Sequence, residues 1–229
     1  MEPTMTRTAY QNTLTGLRQS LLDLGALVLA RLEQGLAALV RHDQATGTLV
    51  QQGDDDVDRA TAAIERTCID LLTLQQPVAS DLRLIAATFR IVVDLERIGD
   101  LAVNLADYAG DSEALSMVPP ARIEQVGRVG IEMLRDALRA LADGNVFLAT
   151  AVIRRDDELD ELAWNGTKLF LEALHHAGRR AWDDATAKRH AEEALPILLS
   201  MRDLERVGDH AVNIARRVVY VVTGDESLE

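Results

Sequence analysis

The 229-residue chain is poor in aromatic residues, at 3%, and holds a single cysteine, Cys68. One cysteine excludes an internal disulfide framework, and its place on an apolar helical face marks it as a core residue. Long apolar runs are missing too. No stretch approaches the ~18 residues of a membrane-spanning helix, and the amino-terminal Met-Glu-Pro-Thr-Met-Thr-Arg lacks the apolar core of a secretory signal. The expectation is a soluble, cytoplasmic protein. Basic residues are outnumbered, with 24 Lys and Arg against 37 Asp and Glu and a formal charge of -13. A field of that sign opposes polyanions, and the scarce aromatics leave bases little to stack on, so nucleic acid is not an expected partner. The surplus carboxylates suit hard cations or a basic protein surface.

Catalytic signatures are also absent. The chain has no glycine-rich phosphate loop and no Ser or Cys in a nucleophile elbow. A di-iron bundle needs Glu-x-x-His on two helices, yet Gly99 and Gly208 stand three residues after Glu96 and Glu205, and His175-His176 have no counterpart in the first half. Enzymatic activity is not expected.

What the chain does contain is a repeat. Asp94-Leu95-Glu96-Arg97-Ile98-Gly99-Asp100 returns 109 residues later as Asp203-Leu204-Glu205-Arg206-Val207-Gly208-Asp209, and Ala102, Val103, Asn104 and Ala106 recur as Ala211, Val212, Asn213 and Ala215. A second run repeats at an offset of 102, where Gly25, Leu36, Val50, Asp54, Asp55 and Asp58 match Gly127, Leu138, Val152, Asp156, Asp157 and Asp160. The two offsets differ by seven residues, which is two helical turns, so the second helical hairpin is longer without any rotation of its faces.

Apolar residues make up 48% of the chain, mostly Leu, Ala, Val and Ile, the composition of packed helices. Their spacing of three and four predicts a first helix from Gln11 to about Arg41 and, after a break at His42-Asp43, a second through Val50, Val57, Ile64, Cys68 and Leu71. Gln75-Gln76-Pro77 ends the second, and Ser80 or Asp81 can cap a third that runs to about Tyr108. A fourth helix from Pro119-Pro120 to Leu141, a fifth to about Arg180 and a sixth from near Asp183 to about Val222, kinked at Pro196, repeat the plan. The reading is all-α: two tandem antiparallel three-helix bundles, 1–110 and 121–229, joined by a linker at 111–120.

Glu96, Asp100 and Asn104 are four apart on the third helix, as are Glu205, Asp209 and Asn213 on the sixth; Asp54 with Asp58 and Asp156 with Asp160 form pairs on the second and fifth. In an antiparallel hairpin, two positions are level when they are equally far from the turn. Residues 56 and 98, the centres of the first pairs, have their midpoint at 77, where Pro77 stands; 158 and 207 have theirs at 182.5, inside the turn expected between Arg180 and Asp184. Each hairpin therefore gathers four carboxylates and a carboxamide, an all-oxygen set of the kind that hard cations, iron or manganese take. The alternative is an ordinary solvated acidic face, with pairs such as Arg90 and Asp94. Arg97 and Arg206 either position an anion beside a metal or serve as surface ion-pair residues. His210 adjoins Asp209 but points about 100° away from it. The stripe Ile85, Phe89, Val92, Val103 and the run Val218 to Val222 are candidate docking or dimer surfaces, or core.

The paired acidic helices and the Leu-Glu-Arg-x-Gly-Asp heptapeptides resemble the PhoU family of phosphate-signalling proteins over nearly the whole chain, as do Gln75-Gln76-Pro77-Val78-Ala79-Ser80-Asp81-Leu82-Arg83 and Gly208-Asp209-His210-Ala211-Val212-Asn213-Ile214-Ala215. The resemblance implies a negative regulator that links the ATPase subunit of a phosphate ABC transporter to the sensor histidine kinase of the phosphate regulon, as a homodimer that meets the membrane only through its partners. It also implies multinuclear metal clusters, with iron first and zinc, nickel, manganese or magnesium as alternatives, on Asp54, Asp58, Glu96 and Asp100 and on Asp156, Asp160, Glu205 and Asp209. Thr61 and Ala62 follow Asp58 where many members are acidic, whereas Glu161 stands beside Asp160, so the second site is expected to bind more tightly. A metal-storing or di-iron-type oxidising bundle and a plain helical scaffold are the competing readings.

Overall fold

A computed structural model describes residues 7–75, 77, 79–109, 120–178 and 183–225, with Asp54, residues 74, 75, 120, 121, 177 and 178, and several between 184 and 193 described by their backbone alone. The linker at 110–119, turn residues Gln76 and Val78, and the boundary at 179–182 lie outside the described residues. Among the described residues there is no strand, and no helix is long and apolar enough to cross a membrane. The helices are α1 (Arg7–Arg41), α2 (Gln44–Gln52), α3 (Asp54–Gln75), α4 (Ala79–Asp107), α5 (Pro120–Asp143), α6 (Val146–Arg154), α7 (Asp156–Gly178) and α8 (Asp184–Thr223). Each half is a three-helix bundle in which the middle arm is broken once. The seam Val50, Val57, Ile64, Cys68 and Leu71 is fully buried. Helix α8 passes through Pro196 as one helix.

The chain leaves α1 and α5 through matching corners. His42 and Gly144 take left-handed backbone angles, φ 55° and 62°, and the next residues, Asp43 and Asn145, cap α2 and α6 by accepting backbone N–H groups of Ala45 and Thr46 and of Leu148. Further on, single residues Gly53 and Arg155 separate α2 from α3 and α6 from α7, so that Asp54 and Asp156 each open a helix. The sequence reading placed these acids inside one long helix. At the first turn, the helix dipole favours their negative charge.

The halves are fused, not strung apart. Helices α1, α4, α5 and α8 pack into a central group, and one hydrophobic cluster runs through both halves. The contacts between halves are reciprocal, as in a self-complementary dimer interface. A Cβ on Gly25 would lie 2.4 Å from Leu138, and one on Gly127 would lie 2.5 Å from Leu36, so each glycine receives the leucine that matches the other's. Glu33 and Arg135, themselves counterparts, pair at 2.6 Å across the same α1–α5 contact.

Ile85, Val92, Val218 and Val219 are buried. Phe89, Val103 and Val221 are partly buried and pack against them, so most of the two stripes read as candidate docking surfaces is core. Val222, at the end of the second stripe, stays exposed, and the most exposed large apolar side chains lie elsewhere, among them Phe147 (91% exposed) and Trp164 (69%).

Candidate functional site

Helices α3 and α4 bring Asp58 and Glu96 to the same level. The Glu96 carboxyl titrates above its ordinary range, first because it is partly buried, then because of Asp100 and Asp58, with a smaller contribution from Glu65 and a partial offset from Arg97. Asp100 is tied to Arg97 at 3.1 Å. Asp54, the remaining acid of this set, has its side chain outside the described residues.

The second hairpin is the more strained. Asp156 is pushed up to about 6 by burial, then by Asp160, Asp209 and Asp157, against a weaker pull from Arg216. Glu205 is raised by burial, Asp160 and Asp209, and Asp209 by burial and Asp160. The four acids Asp156, Asp160, Glu205 and Asp209 thus share one field, as the hairpin arithmetic requires. Asp156 Oδ1 is buried without a hydrogen-bond partner and lies 3.6 Å from the point a Cβ on Gly208 would occupy. Glycine at 208 lets α7 close on α8 and sets that oxygen against the neighbouring helix.

An orphaned carboxylate oxygen amid like charges is the environment that a cation relieves, and the donor set is all oxygen, so the residues fit a hard or intermediate metal ion. Among the described residues, no three His, Cys, Asp or Glu side chains are already gathered closely enough to hold one.

The two carboxamides go elsewhere. Asn104 Nδ2 donates to Asp203 Oδ2 at 3.2 Å, and Asn213 Nδ2 donates to Asp94 Oδ1 at 3.2 Å. Four-residue steps drift about 40° each around a helix, so two steps carry Asn104 and Asn213 from the acidic face to the α4–α8 crossing. There the first residues of the two heptapeptides are braced: Asp203 also accepts from the Tyr108 hydroxyl at 3.2 Å, and Asp94 lies 2.8 Å from His210 Nδ1. Asp94, 14% exposed, is therefore not a solvated partner of Arg90, and His210, 16% exposed, has its Nδ1 turned to the brace instead of to the acids of the second hairpin. Sequence reading missed this brace, although its signal was present: an aspartate repeated at the head of each heptapeptide, with an asparagine ten residues on.

Comparisons with known proteins agree with this architecture. A crystal structure of PhoU from Pseudomonas aeruginosa superposes with a TM-score of 0.80 at 31% identity, covering 94% of this chain and 100% of that one. The phosphate transport system regulatory protein PhoU from Streptococcus pneumoniae gives 0.78 at 27%, covering 94% and 98%. Phosphate-specific transport system accessory protein PhoU homologues from Pseudomonas putida and P. aeruginosa are 32% and 33% identical over 219 residues, which is 95% of this chain and 82% and 86% of theirs. The model of the PhoU domain matches residues 21–109 and 123–218, one copy on each half, and the chain belongs to that family.

Proposed function

We propose that this protein is a regulatory accessory of a phosphate-specific transport system and restrains the phosphate-starvation response when phosphate is plentiful. It works in the cytoplasm as a homodimer between the ATPase subunit of a phosphate ABC transporter and a sensor histidine kinase, and it reaches the membrane only through them. Each acidic hairpin carries a multinuclear metal cluster, iron first among the candidates, held by Asp54, Asp58, Glu96 and Asp100 and by Asp156, Asp160, Glu205 and Asp209. Relatives bearing the transport-accessory name over 95% of the chain support the role. The observation that carries the metal reading is the second hairpin, where Asp156 Oδ1 is buried without a partner among three further carboxylates.

Two measurements test it. Elemental analysis of the purified protein should find metal that Glu205→Ala/Asp209→Ala loses more completely than Glu96→Ala/Asp100→Ala; unchanged content in both double variants ends the metal reading. Deleting the gene should derepress phosphate-starvation genes in phosphate-rich medium, and continued repression would count against the regulatory role.

A further inference from the structure

At the α4–α8 crossing lies an open cavity of about 330 Å3, lined by Arg97, Asp100, Leu101, Val103, Asn104 and Arg206. Arg97 and Arg206 are counterparts in the repeat, 109 residues apart. At the other crossing between the halves, the counterparts Glu33 and Arg135 have opposite charges and satisfy each other at 2.6 Å. Two arginines cannot do that. Arg97 is exposed and reaches forward along its own helix to Asp100, a screened pair that leaves most of its N–H donors unused. Arg206 is half-buried and, among the described residues, makes no hydrogen bond or ion pair. It shares a field with Asp203 and Asp209, but Asp203 Oδ2 already accepts from Asn104 and Tyr108. A guanidinium partly withdrawn from water, with five donors and no acceptor, calls for an oxygen-rich anion.

We propose that this cavity binds one inorganic phosphate ion, held between the guanidinium groups of Arg97 and Arg206 and so shared by both halves. Guanidinium forks match oxyanion geometry in two-bond fashion. Asn104 uses one amide hydrogen on Asp203 and has the other for the ligand. Asp100 supplies selectivity. A carboxylate in the lining repels a fully ionised oxyanion such as sulfate, whereas hydrogen phosphate can donate its O–H to it. Arg97, Arg206 and Asn104 hold the ion without the metal clusters; Asp100, also assigned to the first cluster, takes the selectivity role in the metal-free protein.

Isothermal titration calorimetry of inorganic phosphate into the full-length, chelator-treated protein tests it, with sulfate as the second titrant and metal content measured on untreated portions of the same samples. One phosphate per chain is expected, with sulfate at least tenfold weaker. Arg206→Gln and Arg97→Gln should each weaken phosphate at least tenfold, and Arg206→Lys less, because it keeps the charge but not the fork. Circular dichroism checks each variant; Arg97 is exposed, so its variant carries the test should Arg206→Gln fail to fold. No binding at millimolar phosphate, equal affinity for sulfate, or unchanged affinity in Arg97→Gln overturns the site. Absence of metal with phosphate binding intact would sink the metal reading and spare this one.

Discussion

The two halves reach the same hairpin geometry with different side chains, and the differences fall where each helix break meets its acids. In the first half the break is Gly53, and a guanidinium arrives from outside: Arg31 of α1, buried, pairs with Asp56 at 3.1 Å. A Cβ on Gly53 would lie within 2.7 Å of three atoms of that guanidinium, so glycine there lets Arg31 reach Asp56, and a larger residue would displace the arginine. In the second half the position equivalent to Arg31 is Met133, and the break residue is itself the arginine. Arg155 pairs with Glu132 at 2.7 Å and with Glu158, the counterpart of Asp56, at 3.4 Å. A positive charge beside the acidic turn is thus common to both halves, and the helix that supplies it is not. Repetition has kept an electrostatic need and let its source change.

The comparison can be broken most severely on α1. Gly35 sits against α4 so closely that a Cβ would lie 2.5 Å from the carbonyl oxygen of Ala102, whereas its counterpart on α5 is already an alanine, Ala137. A backbone oxygen cannot swing aside, so Gly35→Ala must push α1 and α4 apart. The expected loss is about 3 kcal/mol in urea unfolding, at the upper end for overpacked cores. A loss below the error of the measurement would mean that the α1–α4 crossing is as loose as α5–α8.

A smaller contrast separates the heptapeptide glycines. A Cβ on Gly208 would lie 2.2 Å from Leu159 Cδ2, a side chain with no exposure, while one on Gly99 would meet Val57 at an ordinary 3.5 Å. Alanine also favours the helix over glycine by about 1 kcal/mol. Gly99→Ala should therefore leave stability unchanged or raise it by up to about 1 kcal/mol, and Gly208→Ala should lower it by about 1–2 kcal/mol as Leu159 is displaced. Thermal unfolding of the pair gives the answer; equal shifts of the same sign would show that the second hairpin is no tighter than the first.

What the sequence made legible follows from local periodicity. The six helical arms and the buried seam through Val50 and Leu71 come from spacing, the break at Pro77 from the proline itself, and the level placement of Asp58 with Glu96 and of Asp156 with Asp209 from the two together. The breaks at Gly53 and Arg155 were hidden because each costs one residue at near-helical angles, φ -87° and -81°, and the seven-residue seam runs through them without a shift. The partners of Asp94, Asp203, Asn104 and Asn213 were hidden for another reason. Periodicity identifies a face but not what covers it, and these four are covered by the other half, about a hundred residues away. Val218 and Val219 were ambiguous because a face alone does not name its cover, and the fold places them in the core.

The last contrast is electrostatic and concerns the acids themselves. Asp156 opens α7, where the helix dipole favours its charge, yet burial and the carboxylates of Asp160, Asp209 and Asp157 outweigh that and hold its carboxyl up to about 6 from an ordinary 3.8. A group that binds its proton more tightly folded than unfolded contributes stability that is fully present below the unfolded value and is lost as the pH rises through the folded one. The metal-free protein should therefore melt lower at pH 7 than at pH 5, with this group's share changing between about 4 and about 6. Removing the charge isolates that share. Asp156→Asn should raise the melting temperature of the metal-free protein at pH 7 and make no difference at pH 4. In the first half Glu96→Gln should act with the same sign, since Glu96 is also raised. An Asp156→Asn variant less stable than the wild type at pH 7 would mean that the dipole, not the crowding, decides the charge on this residue, and the second hairpin would then have no repulsion for a cation to relieve.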